Sequence, residues 1–121
     1  MNWYKQSQSG VSLWLDDERD PTADIGRRKG SSGNEIWVKT SNDAIKALEQ
    51  GNVMSISLDH DLGFSDGDNG LTVANWIEEA AYYNKIPRLK WSIHSDNPAG
   101  RKSMELAMKS ADRYWDQHEL V

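Results

Sequence analysis

The sequence has no cysteine, no long apolar run and no excess of basic residues. Without cysteine there is no disulfide framework, no thiolate zinc site and no cysteine nucleophile. No apolar run approaches the ~20 residues of a membrane span, and the first five residues lack the apolar core of a secretory signal. We therefore expect a cytoplasmic protein with no membrane segment.

The charge balance is acidic, with 19 Asp and Glu against 14 Lys and Arg, for a formal net charge of −5. An extended nucleic-acid-binding surface is normally basic, so none is expected here. A small phosphorylated nucleotide or an RNA end bound in one pocket is still compatible with this charge, especially beside a metal ion. The 121 residues suit a polar lead-in at 1–10 and a single α/β domain at 11–121.

Apolar patterning predicts four strands and three long helices. The strands are expected at 11–15, 35–39, 53–58 and 90–93, and the helices at 41–50, 71–84 and 98–118. Thr40 and Asn97 are typical helix N-caps, and Pro98 suits a first helical position. Residues 22–34 have loop chemistry with room for one short helical turn.

The order of these elements predicts the fold class. Strands that alternate with helices imply βαβ units and a parallel sheet, and right-handed crossovers place helices on both faces. We therefore expect a three-layer α/β sandwich of about four parallel strands. The carboxyl ends of the strands then share one edge, where ligands of such sheets bind.

Several carboxylates follow these strands. Asp16 and Asp17 follow the first strand, and Asp59 follows the third. Crowded carboxylates repel one another unless a cation is present, and oxygen-only clusters suit Mg²⁺ or Mn²⁺. The three are therefore candidate metal ligands. The alternative is that they are solvated caps and turn formers.

Two histidines are placed at the same edge. His60 follows the third strand and His94 follows the fourth. Two imidazoles over one pocket are suited to base and acid roles in phosphoester chemistry, together with Asp59. In an extended chain His60 faces away from its two aspartate neighbours, so this role requires a turn directly after it. His118, on the apolar stripe of the last helix, is interpreted as structural.

Three residues are candidates for phosphate binding. Ser95 and Asn97 open the last helix, whose free N–H groups and dipole attract anions, although such residues also serve as plain caps. Arg19 can clamp a phosphate bidentately or pair with a neighbouring aspartate. The basic run 27–29 is interpreted as a solvated loop.

The motifs that carry these residues are similar to those of the cyclic-phosphate-processing receiver domain family. The similarity covers about residues 11–110. It rests on LWLDDER with the following proline at 13–21, on SLDHDLG at 57–63, on Gly70, and on His94, Ser95, Asn97, Pro98, Gly100 and Met104.

This resemblance implies a receiver-like (flavodoxin-like) sandwich and an edge site that includes Asp61 as a further metal ligand. The implied site residues are Asp16, Asp17, Asp59, His60, Asp61 and His94. It also implies the processing of cyclic phosphates, such as 2′,3′-cyclic RNA ends or cyclic nucleotides. We therefore expect a metal-assisted phosphoesterase that uses Mg²⁺ or Mn²⁺.

Two other functions are compatible with the sequence. One is a non-catalytic module that senses a nucleotide or phosphate or binds a protein. The other is a receiver phosphorylated on Asp59, as in response regulators. The chain has no fifth strand with the usual receiver lysine, and His94-Ser95 stands where an ordinary receiver has Thr or Ser. Both departures argue against phosphorelay signalling.

Overall fold

A computed structural model describes residues 10–63 and 67–120. Most of the expected lead-in therefore lies outside the described residues. The strands are β1 (Val11–Leu15), β2 (Ile36–Val38), β3 (Val53–Leu58) and β4 (Lys90–Ile93), and the helices are α1 (Asp24–Arg28), α2 (Ser41–Glu49), α3 (Gly70–Tyr82) and α4 (Pro98–Glu119). The predicted elements are confirmed, with small shifts at the ends of β2, α2, α3 and α4.

The helix starts follow the predicted capping chemistry. The Thr40 side chain accepts a hydrogen bond from the Asp43 N–H, and the Asn97 side chain accepts one from the Gly100 N–H. Asn69 caps α3 in the same way, by accepting from the N–H groups of residues 71 and 72. Each cap satisfies N–H groups that have no partner within the helix.

The four strands form one sheet in the order β2-β1-β3-β4, and every pair is parallel. The chain steps from β1 to β2 in one direction and from β2 to β3 in the other, so the strand order reverses between β1 and β3. With right-handed crossovers, α1 lies on the opposite face from α2 and α3. The result is the receiver-like α/β sandwich that the element order predicted.

The core joins one face of the sheet to the three long helices. Leu13 and Leu15 of β1, Ile56 and Leu58 of β3, and Met104 and Met108 of α4 are all buried within it. Trp14 alternates with Leu13 and Leu15 and therefore faces the other side. Its indole N–H donates to the Arg19 carbonyl at 2.9 Å, which ties the segment after β1 to that side.

His118 has the structural role expected of it. Its Nε2 lies 2.9 Å from the Ala81 carbonyl oxygen and 3.0 Å from that of Tyr82. A histidine nitrogen bonds a carbonyl only as a donor, so His118 satisfies carbonyls at the end of α3. Among the described residues, no helix combines the length and apolar character that a membrane crossing requires.

Candidate functional site at the carboxyl edge of the sheet

The sheet register places three functional residues side by side. Leu15, Leu58 and Ile93 are paired across β1, β3 and β4, so the residues that follow them are neighbours too. The ladder continues there, because the Asp59 N–H donates to the Leu15 carbonyl and the His94 N–H donates to that of Leu58, each at 3.0 Å. Asp16, Asp59 and His94 are thereby aligned beside the point where the strand order reverses.

Asp16 is fully buried and heavily hydrogen-bonded. Its Oδ1 accepts from the N–H groups of Glu18 at 2.8 Å and Arg19 at 2.9 Å. Its Oδ2 lies 3.0 Å from His94 Nε2 and 3.2 Å from Arg19 Nη1. Burial alone would raise the pKa of Asp16, but these bonds to His94, to the two backbone N–H groups and to the guanidinium lower it to about 2.

Asp59 is also buried but has fewer partners. Its Oδ1 accepts from the His60 N–H at 2.9 Å. Its Oδ2 lies 3.6 Å from Arg19 Nη1, beyond a normal hydrogen bond. Burial and the neighbouring Asp16 charge raise the pKa of Asp59 to about 6, against partial opposition from His94, Arg19 and the His60 N–H. This carboxylate therefore has an unbalanced negative charge at neutral pH.

His94 has both ring nitrogens engaged within the protein. Nε2 contacts Asp16, and Nδ1 lies 2.8 Å from Ser57 Oγ. The ring stacks on Trp14 with centroids 3.9 Å apart. Because ionised Asp16 can only accept, Nε2 carries a proton, and in the neutral imidazole Nδ1 then accepts from the Ser57 hydroxyl. The side chain is 2% exposed, so the structure places His94 behind Asp16 and away from solvent.

His60 lies where the chain bends after β3, and it is not among the residues that line the cavity at this edge. The Gly70 N–H donates to the His60 carbonyl at 2.8 Å, and Asp61 forms an isolated bridge with Asn69. His60 Nδ1 lies 2.8 Å from Asp61 Oδ1. A Cβ at Gly100 would lie only 2.3 Å from His60 Cγ, so the ring packs directly against the first turn of α4.

An open cavity of about 260 Å³ lies in front of Asp59. Carboxylates dominate its lining, which also contains one guanidinium. The lining residues are Asp17, Glu18, Arg19, Asp59, Asp61, Gly63 and Asp96. Asp17 is held there by a hydrogen bond of 2.7 Å from the Gly63 N–H to its Oδ2.

The three expected phosphate-binding residues have different surroundings. Arg19 lines the cavity, as its expected role requires. Asn97 caps α4 and also directs its Nδ2 to Asp61 Oδ1 at 3.3 Å. Ser95 is buried, and its Oγ accepts from the Asn97 N–H at 3.1 Å. In this structure Ser95 and Asn97 thus form the start of the helix.

Sequence reasoning assigned no site role to Glu18, which lines the cavity, or to Ser57, Lys29 and Asp96. Ser57 begins the SLDHDLG motif and points to the same side of β3 as Asp59. The alternation of side chains along a strand could therefore have indicated that Ser57 lies near the site. Lys29 and Asp96 form an ion pair across 67 residues. The basic run at 27–29 was interpreted as a solvated loop, and no local pattern connects it to the sheet edge.

The donor set suits the expected divalent cation. Asp16, Asp59 and His94 have potential ligand atoms that all lie within 4.8 Å of one another, but His94 would ligate a metal only after giving up a present partner. Asp17 and Asp61 add carboxylates to the cavity that Asp59 also lines. Hard oxygen donors are the ligands that Mg²⁺ and Mn²⁺ prefer, and a cation beside Asp59 would offset the charge that raises its pKa.

A parallel sheet with an acidic pocket at its order reversal is the architecture of a receiver-like domain. The family described as the cyclic-phosphate processing Receiver domain matches residues 11–110. The chain belongs to this family, as the motifs indicated. Comparisons with curated proteins and with solved structures returned no match.

Proposed function

We propose that this chain is a metal-assisted phosphoesterase that opens cyclic phosphates, such as a 2′,3′-cyclic RNA end or a cyclic nucleotide. The observation that carries the proposal is Asp59. It is a buried carboxylate with pKa raised to about 6, and its Oδ2 has no hydrogen bond to the described residues and lies at an acidic cavity that also contains a guanidinium.

Asp59, Asp17 and Asp61 would hold the cation from the cavity side. Asp16 lies directly behind them, and its oxygens would join only by exchanging present partners such as Arg19 Nη1. A bound Mg²⁺ or Mn²⁺ supplies Lewis-acid polarisation of the phosphoryl group. The cation would also offset part of the negative charge that the lining carboxylates place beside an anionic substrate.

Arg19 and His60 would act on the phosphoester. Arg19 Nη1 is anchored by Asp16, and Nη2 donates to Asp96, which also lines the cavity. A guanidinium there stabilises charge on a non-bridging phosphate oxygen. His60, oriented by Asp61, would exchange a proton with the attacking water or the leaving oxygen. His94, with both nitrogens engaged, would orient Asp16 instead of touching the substrate.

The decisive experiment measures hydrolysis of a nucleoside 2′,3′-cyclic phosphate with Mg²⁺, with Mn²⁺ and with EDTA. We expect metal-dependent turnover, lost in Asp59→Asn and reduced about 10²–10⁴-fold in His60→Gln. His118→Gln is the matched control, because His118 lies at the far end of α4, and it should keep its activity.

Other outcomes would redirect the proposal. Saturable binding of the cyclic phosphate without product, across a panel of metals, would contradict an enzyme and favour a sensing module. Label transferred from an acyl-phosphate donor to the wild type, and absent from Asp59→Asn, would favour a phosphoacceptor receiver.

A further inference from the structure

One carboxylate beside the cavity is held by two cations from different parts of the chain. Asp96 Oδ2 lies 3.0 Å from Arg19 Nη2, and Asp96 Oδ1 pairs with Lys29 Nζ. The two oxygens of a single anion thus each contact a separate positive charge. Asp96 itself follows β4 and lines the cavity.

The two cations are directed by the fold. Arg19 Nη1 is tied to buried Asp16 at 3.2 Å, which fixes the direction of Nη2. Lys29 belongs to a run of three basic residues, but it is half-buried whereas Arg27 and Arg28 are exposed. Of the three, Lys29 is the one whose side chain ends at the site.

The anion between them is the least anchored of the three groups. The Asp96 side chain is 66% exposed, so it can return to water at little cost, and exposed ion pairs contribute little to stability. A phosphate presents oxygens in a similar spacing and, as a monoester or inorganic dianion, more negative charge than a carboxylate. Arg19, anchored by Asp16, and the partly buried Lys29 therefore suit a phosphate in the position of the Asp96 carboxylate.

We propose that Arg19 and Lys29 form a phosphate subsite, and that the Asp96 carboxylate occupies this subsite until a phosphate displaces it. This inference rests on the proposed function, which makes the cavity the place where the substrate binds. The inference itself concerns phosphate binding and not catalysis. It also sets a preference, because a ring-opened phosphomonoester approaches two negative charges and a cyclic phosphodiester carries one. The product of ring opening should bind more tightly than the cyclic substrate.

The test is titration of inorganic phosphate at pH 8 and low ionic strength, in EDTA, followed by calorimetry or NMR. Asp96→Asn should bind phosphate about fivefold more tightly than the wild type, and Lys29→Gln about fivefold more weakly, the range that an exposed ion pair covers. The matched controls lie on α1. Arg28→Gln changes the net charge as Lys29→Gln does, and Asp24→Asn changes it as Asp96→Asn does. They should stay within about twofold of wild type, the long-range effect of one exposed charge.

The double variant Lys29→Gln/Asp96→Asn separates direct binding from an indirect effect. If Lys29 contacts the phosphate, its loss weakens binding in the Asp96→Asn background as well. The inference would be overturned if the double variant bound phosphate as tightly as Asp96→Asn. It would also be overturned if Asp96→Asn bound phosphate no more tightly than Asp24→Asn. Thermal melts verify that each variant is folded. Because neither metal nor turnover is involved, an inactive enzyme with the expected binding pattern would contradict the proposed function and leave the subsite supported.

Discussion

Asp16 and Asp59 end neighbouring strands in matched register, and both are buried, yet their environments push their pKa values in opposite directions. At the end of β1, four donors surround the Asp16 carboxylate and lower its pKa to about 2. At the end of β3, burial and the Asp16 charge dominate, and the pKa of Asp59 rises to about 6.

The two strand ends are also held differently. Hydrogen bonds to the Asp16 carboxylate hold the end of β1. Close packing against Gly70 and Gly100 holds the end of β3. A Cβ at Gly70 would lie 2.0 Å from the Asp59 carbonyl oxygen, and one at Gly100 would meet the His60 ring. In the proposed function, Asp16 stabilises the site and Asp59 takes part in the chemistry, a division of roles that paired titratable groups often show.

The largest effect on stability is expected from Asp16→Ala. The change leaves the Glu18 and Arg19 N–H groups, the guanidinium and His94 Nε2 without their acceptor, and breaking a buried charged network costs about 3–5 kcal/mol. Urea denaturation at pH 7 measures this loss. Asp17→Ala, one residue on and half-buried, should cost less than about 1 kcal/mol. Equal losses in the two variants would contradict the special position of Asp16.

Gly70→Ala tests whether packing holds the end of β3. The new methyl group meets backbone, the Asp59 carbonyl, and also Met104 Sδ at 2.9 Å. We expect a loss of about 3 kcal/mol in the free energy of unfolding, toward the upper end for an overpacked site. Exposed Thr72→Ala in the same helix is the control, and a Gly70→Ala variant as stable as that control would argue against the close approach.

Asp59→Asn should stabilise the protein at neutral pH in EDTA, by about 2 kcal/mol. The folded-state pKa of about 6 exceeds the ordinary value of 3.8, so the folded state binds more protons between those pH values. The contribution of Asp59 to stability therefore falls as pH rises from about 4 to 6. The neutral amide removes this penalty and can still accept from the His60 N–H.

The pH profile of the same variant sharpens the contrast with Asp16. The free energies of unfolding of wild type and Asp59→Asn should be nearly equal near pH 4. The difference between them should grow as pH rises and reach its full size above about pH 6. Asp16 acts in the opposite sense, because its lowered pKa gives stability that is present above about pH 4 and is lost as pH falls toward 2. A constant difference between the two proteins across pH 4–7 would show that the Asp59 charge is not the cause.

The smallest effect is expected from Ser57→Ala, which removes the hydrogen bond to His94 Nδ1. The cost is about 1 kcal/mol, and the ¹⁵N resonance of Nδ1 should shift because that nitrogen loses its partner, whereas Nε2 keeps its bond to Asp16. Ser92→Ala is a matched control, since the Ser92 hydroxyl donates to Ser57 at 3.1 Å and does not touch the ring. Identical ¹⁵N spectra for Ser57→Ala and wild type would contradict a hydrogen bond between Ser57 and His94 Nδ1.

Much of the fold was predictable because its signals are local. The bounds of β1, β3 and β4 follow from apolar runs, and Thr40 and Asn97 cap the helices that they were expected to cap. The parallel sheet followed from the alternation of elements. The roles expected of Ser95 and Asn97 were harder to assign, because a capping side chain and an anion-binding one have the same sequence signature. For Arg19, the same guanidinium suits a phosphate and a neighbouring aspartate.

The sequence by itself determined that Asp16, Asp59 and His94 meet, since each directly follows a strand and parallel strands end at one edge. Only the tertiary structure decided how they differ. The bond from His94 to Asp16 spans 78 residues and the pair of Lys29 with Asp96 spans 67, beyond the reach of any local pattern. A pKa depends on burial and on the donors within a few ångströms, and these are set by the packing of distant segments.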